Sequence, residues 1–223
     1  MKIKLSEIKS YYVNLPEEEV RNSEFSSMIS DLGYKDVTRL DGVRIDGMAH
    51  GGIAKVTYDL FSDLDDLPVI VFEDDARSIN YIDEIEIPDD ADAVYLGMCQ
   101  AYEAVKYTKV VGYPGVYRVF NPLGRHAVLY LSREYAEEVR HLAYLVYSQS
   151  SNEMIRSLDW TVHRLMGKFK VYAITPIFYQ HNDKFPRMSN LSRIINMDTL
   201  EIDPIEYDYI DRYPEYKKEG AKE

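Results

Sequence analysis

The run Leu67-Pro68-Val69-Ile70-Val71-Phe72 does not alternate between apolar and polar residues. A strand with one wet face places apolar side chains at every second position. An unbroken run therefore needs cover on both faces, as in a central strand of a sheet with helices on either side. That requirement points to an α/β architecture. Glu73-Asp74-Asp75 follow directly. In open α/β sheets ligands bind beyond the carboxyl ends of the strands, so these three acids fall where a ligand would sit. Adjacent carboxylates repel one another unless water, a base or a cation offsets them. Their hard oxygens suit Mg²⁺ or Mn²⁺, ions that commonly bridge one or two carboxylates to substrate phosphates. The competing reading is a solvated acidic turn. Asp65-Asp66 and Asp89-Asp90 have no buried strand in front of them and read as solvated turns or caps.

Short apolar runs alternate with amphipathic stretches along the rest of the chain. Tyr11 to Leu15 reads as a strand, followed by a helix with Phe25, Met28, Ile29 and Leu32 inward, closed by Gly33. Asp36 to Leu40 reads as a second strand ending at Asp41-Gly42, and Ile53, Val56, Leu60 and Leu64 line one face of a second helix. Ala93 to Gly97 is another strand. Residues 100 to 131 suit small strands or loops over the site. Ser132 is placed to cap a helix with Tyr135, Ala136, Val139, Leu142, Ala143 and Val146 inward. A last helix is expected from Asp159 to Met166, with Trp160 packed in the core, and Val171 to Ile174 forms a strand broken by Pro176. One domain over 1–198 is expected. The acidic, tyrosine-rich tail 199–223 is expected to end in disorder.

Composition excludes some functions. Lys and Arg number 26 against 38 Asp and Glu, a net charge of −12, which disfavours nucleic-acid partners. A nucleotide is an anion too, but a bound divalent cation reverses the local sign. The single cysteine, Cys99, excludes an intrachain disulfide, and no segment reaches the ~18 apolar residues of a membrane span. Met1 to Lys9 lacks the apolar core of a secretory signal, so a cytoplasmic protein without a transmembrane segment is expected.

Several motifs, in order, resemble a known family. They are Val13-Asn14-Leu15 with Arg21, then Arg39-Leu40-Asp41-Gly42, and then Val69-Ile70-Val71-Phe72-Glu73-Asp74-Asp75-Ala76, which matches a "V-I-x-x-E-D-D-A" signature. Leu96-Gly97, Ala127 to Ser132 with Ala136, Leu158-Asp159, Tyr172 to Pro176, Gln180 and Ser189 continue the series. The chain so resembles glycosyltransferase family 25, the lipooligosaccharide and collagen galactosyltransferases. The order of the motifs carries more weight than any one of them.

The resemblance implies a GT-A-like nucleotide-sugar-binding fold, with a central mostly parallel sheet flanked by helices. It also implies a UDP-sugar donor, an Mn²⁺ or Mg²⁺ ion, and a glycan or glycoprotein acceptor. Asn14, Leu15, Arg21, Asp41, Gly42, Lys55 and Asp74 are the expected donor contacts. Asp75 is the expected metal ligand with Glu73, and His181 is a candidate further ligand. Asp159, at the family's late "V-D" position, is the expected general base, although a helix cap would explain it as well. One segment departs from the family: Tyr58 and Asp59 stand where it carries Ser-His. Galactose and glucose both remain open as the sugar. A non-catalytic binding or assembly module and, more remotely, a metal-dependent phosphohydrolase remain alternatives.

Overall fold

The unbroken apolar run is a strand, third from one edge of an eight-stranded sheet. The computed structural model describes residues 1–45, 51–99, 107–120, 122–148, 157–175 and 177–180. In chain order its first elements are β1 (Lys2–Lys4), β2 (Lys9–Asn14), α1 (Glu19–Asp31), β3 (Val37–Asp41), α2 (Gly51–Asp63), β4 (Val69–Glu73), β5 (Ala76–Ser78) and β6 (Glu84–Glu86). There follow β7 (Ala93–Cys99), β8 (Tyr107–Lys109), β9 (Val116–Val119), β10 (Leu123–Tyr130), α3 (Arg133–Ser148), α4 (Leu158–Val162), β11 (Val171–Ile174) and β12 (Phe178–Gln180). The tail 199–223 and His181 lie outside the described residues.

The main sheet has the order β3-β2-β4-β10-β7-β11-β9-β8. β2 pairs in parallel with β3 and β4, and β7 with β11, whereas β10 runs antiparallel to both of its neighbours. Six of the eight strands therefore point one way, with β9 and β10 reversed. The expected α/β fold with a mostly parallel sheet flanked by helices is the one observed.

Burial follows the alternation of Cβ directions across a pleated sheet. Val69, Val71, Tyr95, Val128, Tyr130 and Ala173 belong to a core shared with α2, α3 and α4. Ile70, Phe72, Val94, Leu96, Ala127 and Leu129 belong to a second core with α1, β1, β6 and β12. Both faces of β4 are thus covered, as its composition requires. Burying a side chain such as Phe72 in full stabilises the fold by about 1.5–3 kcal/mol.

All six inward positions expected for α3 are buried, and the Tyr135 amide donates to Ser132 Oγ over 3.1 Å. In α1, Phe25 and Ile29 are buried while Met28 and Leu32 pack at the margin. The buried face of α2 is rotated from the expected one: Ala54, Val56, Thr57, Leu60 and Phe61 are buried, but Ile53 and Leu64 are half-buried. The helix expected over 159–166 is shorter, because α4 passes into a 3-10 turn at His163–Leu165. Asp65, Asp66, Asp89 and Asp90 are exposed, as expected of solvated turns and caps. No helix among the described residues is long and apolar enough to cross a membrane.

Candidate active site

Three parallel strands bring their carboxyl ends to one edge of the sheet. In the β2–β3 register Asn14 faces Asp41, and in the β2–β4 register Val13 faces Glu73. Four of the expected site residues are joined there by short contacts. Asn14 Nδ2 donates to Asp74 Oδ2 over 2.7 Å, and Arg21 lies 3.5 Å from Asp74 Oδ1. The Asp74 amide donates to the Val13 carbonyl, and the Gly42 amide donates to the Asn14 carbonyl over 2.8 Å. A Cβ on Gly42 would stand 3.1 Å from the Leu15 nitrogen and 3.2 Å from the Asn14 carbonyl carbon. The Asp-Gly pair thus lets the end of β3 close against the end of β2. Asp41 itself is exposed, 3.4 Å from Arg39, and lines a cleft of about 390 Å³ between β3 and α2.

The second half of the site comes from β10. Its pairing of Ala127 with Phe72 and of Leu123 with Cys99 sets Gly124 and Arg125 beside the carboxyl end of β4. The register shifts between Leu123 and Ala127, an irregularity of the kind that re-aims side chains near functional sites. Gly124 has φ +74°, a backbone state that glycine adopts without strain. Its amide donates to Asp159 Oδ2 over 3.2 Å, which draws the first turn of α4 to the acids.

Burial pushes the Glu73 carboxyl well above its ordinary range, and the charges of Asp75, Asp159 and Asp74 push it further, against an opposing pull from Arg125. The expected base and the expected metal acids therefore share one electrostatic site. Arg125 is buried and donates to Tyr130 Oη over 2.7 Å. It is a buried cation within electrostatic range of Glu73 and Asp159, and the sequence reading missed it. The signal was a Gly-Arg-His triplet interrupting an apolar run, which reads as a loop rather than a strand.

The cap reading of Asp159 is not what forms. Ser157 is the N-cap of α4, its Oγ accepting from the Trp160 amide over 3.4 Å, and Asp159 stands in the first turn. Trp160 is also not in the core. It is 51% exposed, because α4 buries Leu158, Thr161 and Val162 instead. Lys55 pairs with Asp59 at 2.6 Å and lies over the Tyr147 ring, contacts on the α2–α3 surface rather than with the strand-end acids. Among the described residues no three acidic, histidine or cysteine side chains converge in a ready-made metal cluster. Asp75 and Glu73 match the donor set of an ion that takes one or two carboxylates and completes its shell with substrate phosphates and water.

No family model matches the chain, and no curated protein matches it either. Among solved structures it is similar to a nucleoside-diphosphate-sugar pyrophosphorylase from Vibrio cholerae RC9. That likeness has 12% identity and a TM-score of 0.43, covering 74% of this chain and 71% of that one. It is also similar to a glycosyltransferase involved in the glycosylation of the major capsid of PBCV-1. Here the identity is 8% and the TM-score 0.41, covering 75% of this chain and 93% of that one.

Proposed function

We propose that the protein is a glycosyltransferase of GT-A type that moves a hexose, galactose or glucose, from a UDP-sugar to a glycan or glycoprotein hydroxyl with inversion. One observation carries the reading: the Gly124 amide, set beside the carboxyl end of β4 by the β10 register, holds the Asp159 carboxylate there. The ordered motifs of the sequence support it independently.

In this reading Asn14, Leu15, Asp41 and Gly42 form the nucleoside end of the site, where β2 and β3 close on each other. Asp74 holds Asn14 and Arg21 in place as one unit. Asp75 with Glu73 would hold Mn²⁺ or Mg²⁺ against the diphosphate, and His181 is the further ligand proposed from the sequence. When bound, the ion neutralises charge on the departing nucleotide. Asp159 accepts the proton of the acceptor hydroxyl as its oxygen bonds to the anomeric carbon and the bond to UDP breaks. The Gly124 amide holds that carboxylate in place.

The experiment is UDP release from a panel of UDP-hexoses with Mn²⁺, with and without glycan acceptors. The proposal requires release that rises on adding an acceptor. Release indifferent to every acceptor would make the protein a hydrolase, and no release with any donor would make it a non-catalytic module.

A further inference from the structure

A helix as short as α4 does not hold its own direction, since isolated helices below about 12 residues are marginal in water. Its buried side chains, Leu158, Thr161 and Val162, anchor it largely through apolar packing, which is non-directional. Directional contacts come from two half-buried residues. Asp159 accepts from the Gly124 amide over 3.2 Å, and one turn later the His163 ring donates from Nε2 to the Pro122 carbonyl over 2.7 Å. His163 continues α4 with helical dihedrals, φ −55° and ψ −29°, so it shares one side of the turn with Asp159 as an i, i+4 pair. Their partners, a carbonyl and an amide, stand two residues apart at the entry to β10.

Two bonds one helical turn apart fix a rotation as well as a position, whereas one bond leaves a pivot. Held by the Gly124 amide alone, α4 is free to swing about that point, and the Asp159 carboxylate swings with it. We infer that His163 is a positioning residue for the proposed base: its bond to the Pro122 carbonyl fixes the direction in which the Asp159 carboxylate points. This inference rests on the transferase reading and deepens it. A catalytic group misplaced by about 1 Å can cost about 100-fold in rate, so the second bond acts on turnover rather than on donor binding. A purely structural His163 would satisfy the carbonyl and pack against Trp160, with ring centroids 5.5 Å apart, without acting on Asp159.

The test uses the full-length protein with Mn²⁺, a UDP-hexose and a glycan acceptor, and measures kcat, acceptor KM and UDP affinity below each variant's melting temperature. His163→Ala removes the ring, His163→Phe keeps a ring against Trp160 without a donor, and His163→Gln keeps an N–H near the position of Nε2. The expected result is a kcat at least ~10-fold lower in His163→Ala and His163→Phe, with acceptor KM and UDP affinity held, and most of the rate recovered in His163→Gln. In an Asp159→Asn background, His163→Ala should cost nothing further, because the two act as one unit. Four results would each overturn the inference: a wild-type kcat in His163→Ala, a loss that appears in KM or UDP affinity instead, no recovery in His163→Gln, or losses that multiply with Asp159→Asn. Should His163→Ala fail to fold, equal rates in His163→Phe and His163→Gln would overturn it as well. A slow Asp159→Asn beside a wild-type His163→Ala removes the positioning role and leaves the transferase reading. Wild-type transfer by Asp159→Asn removes the base and the positioning role together, and no transfer by the wild-type protein with any donor removes the transferase reading and this inference with it.

Discussion

The backbone amide of Gly124 donates to Oδ2 of Asp159 over 3.2 Å, joining the first turn of a short helix to the irregular start of a central strand. This bond brings a carboxylate from late in the chain to the acids that end β4.

Because Ser157 caps α4, the cap and the proposed base are different residues and can be tested apart. Ser157→Ala should cost about 1 kcal/mol of stability and leave transfer by the folded protein intact. Asp159→Asn keeps an oxygen for the Gly124 amide but cannot take a proton. It should hold its melting temperature and UDP affinity while losing at least ~100-fold in transfer rate, the scale of general-base catalysis. Wild-type transfer by Asp159→Asn would place the base elsewhere.

Asp75→Asn preserves shape and removes one negative charge from a site crowded with carboxylates. Calorimetry should show Mn²⁺-dependent UDP binding severely weakened and the melting temperature held or raised. Unchanged Mn²⁺–UDP affinity would take Asp75 out of the metal site.

His126 is wholly buried, with Nε2 3.4 Å from the Phe178 carbonyl, and burial lowers its pKa from 6.5 to about 4. The unfolded chain thus binds the proton more tightly than the folded one. Stability conferred by a neutral His126 is complete above pH ~6.5 and is lost as pH falls toward ~4. One pKa unit is about 1.4 kcal/mol, so the loss over that window is on the order of 3 kcal/mol. Thermal melts between pH 4.5 and 7.5 should show a flatter pH dependence in His126→Gln than in wild type. Parallel curves would mean that another group carries the acid sensitivity.

A Cβ on Gly97 would press into the Phe178 carbonyl and the His126 ring, so β12 closes on β7 only where no side chain intervenes. Gly97→Ala should lower stability by about 1–3 kcal/mol, the usual cost of overpacking, read as a lower urea midpoint. A wild-type midpoint would mean that β12 is not packed there.

Much of the site's first half was legible because it is local. The unbroken run 69–72 demanded cover on both faces, and the acids after it had to lie at a strand end. The six inward positions of α3 followed from helical spacing alone. Asp41-Gly42 could be read as a strand end, and the tertiary structure shows why glycine is needed there, with the backbone of Asn14 and Leu15 close behind it.

The second half was decided only in three dimensions. Strand β10 inserts antiparallel between β4 and β7, a pairing between residues far apart in sequence, and its Gly-Arg-His start hides the alternation that marks a strand. Arg125 comes into range of the acids only through that insertion, and Asp159 is held there by the Gly124 amide. The short α4 spends its buried face on Leu158, Thr161 and Val162, which leaves Trp160 outside. Periodicity along a chain reports how many faces of a segment are to be buried. Which distant segment provides the cover, and which side chain is left exposed, depends on the competition among all non-local contacts at once.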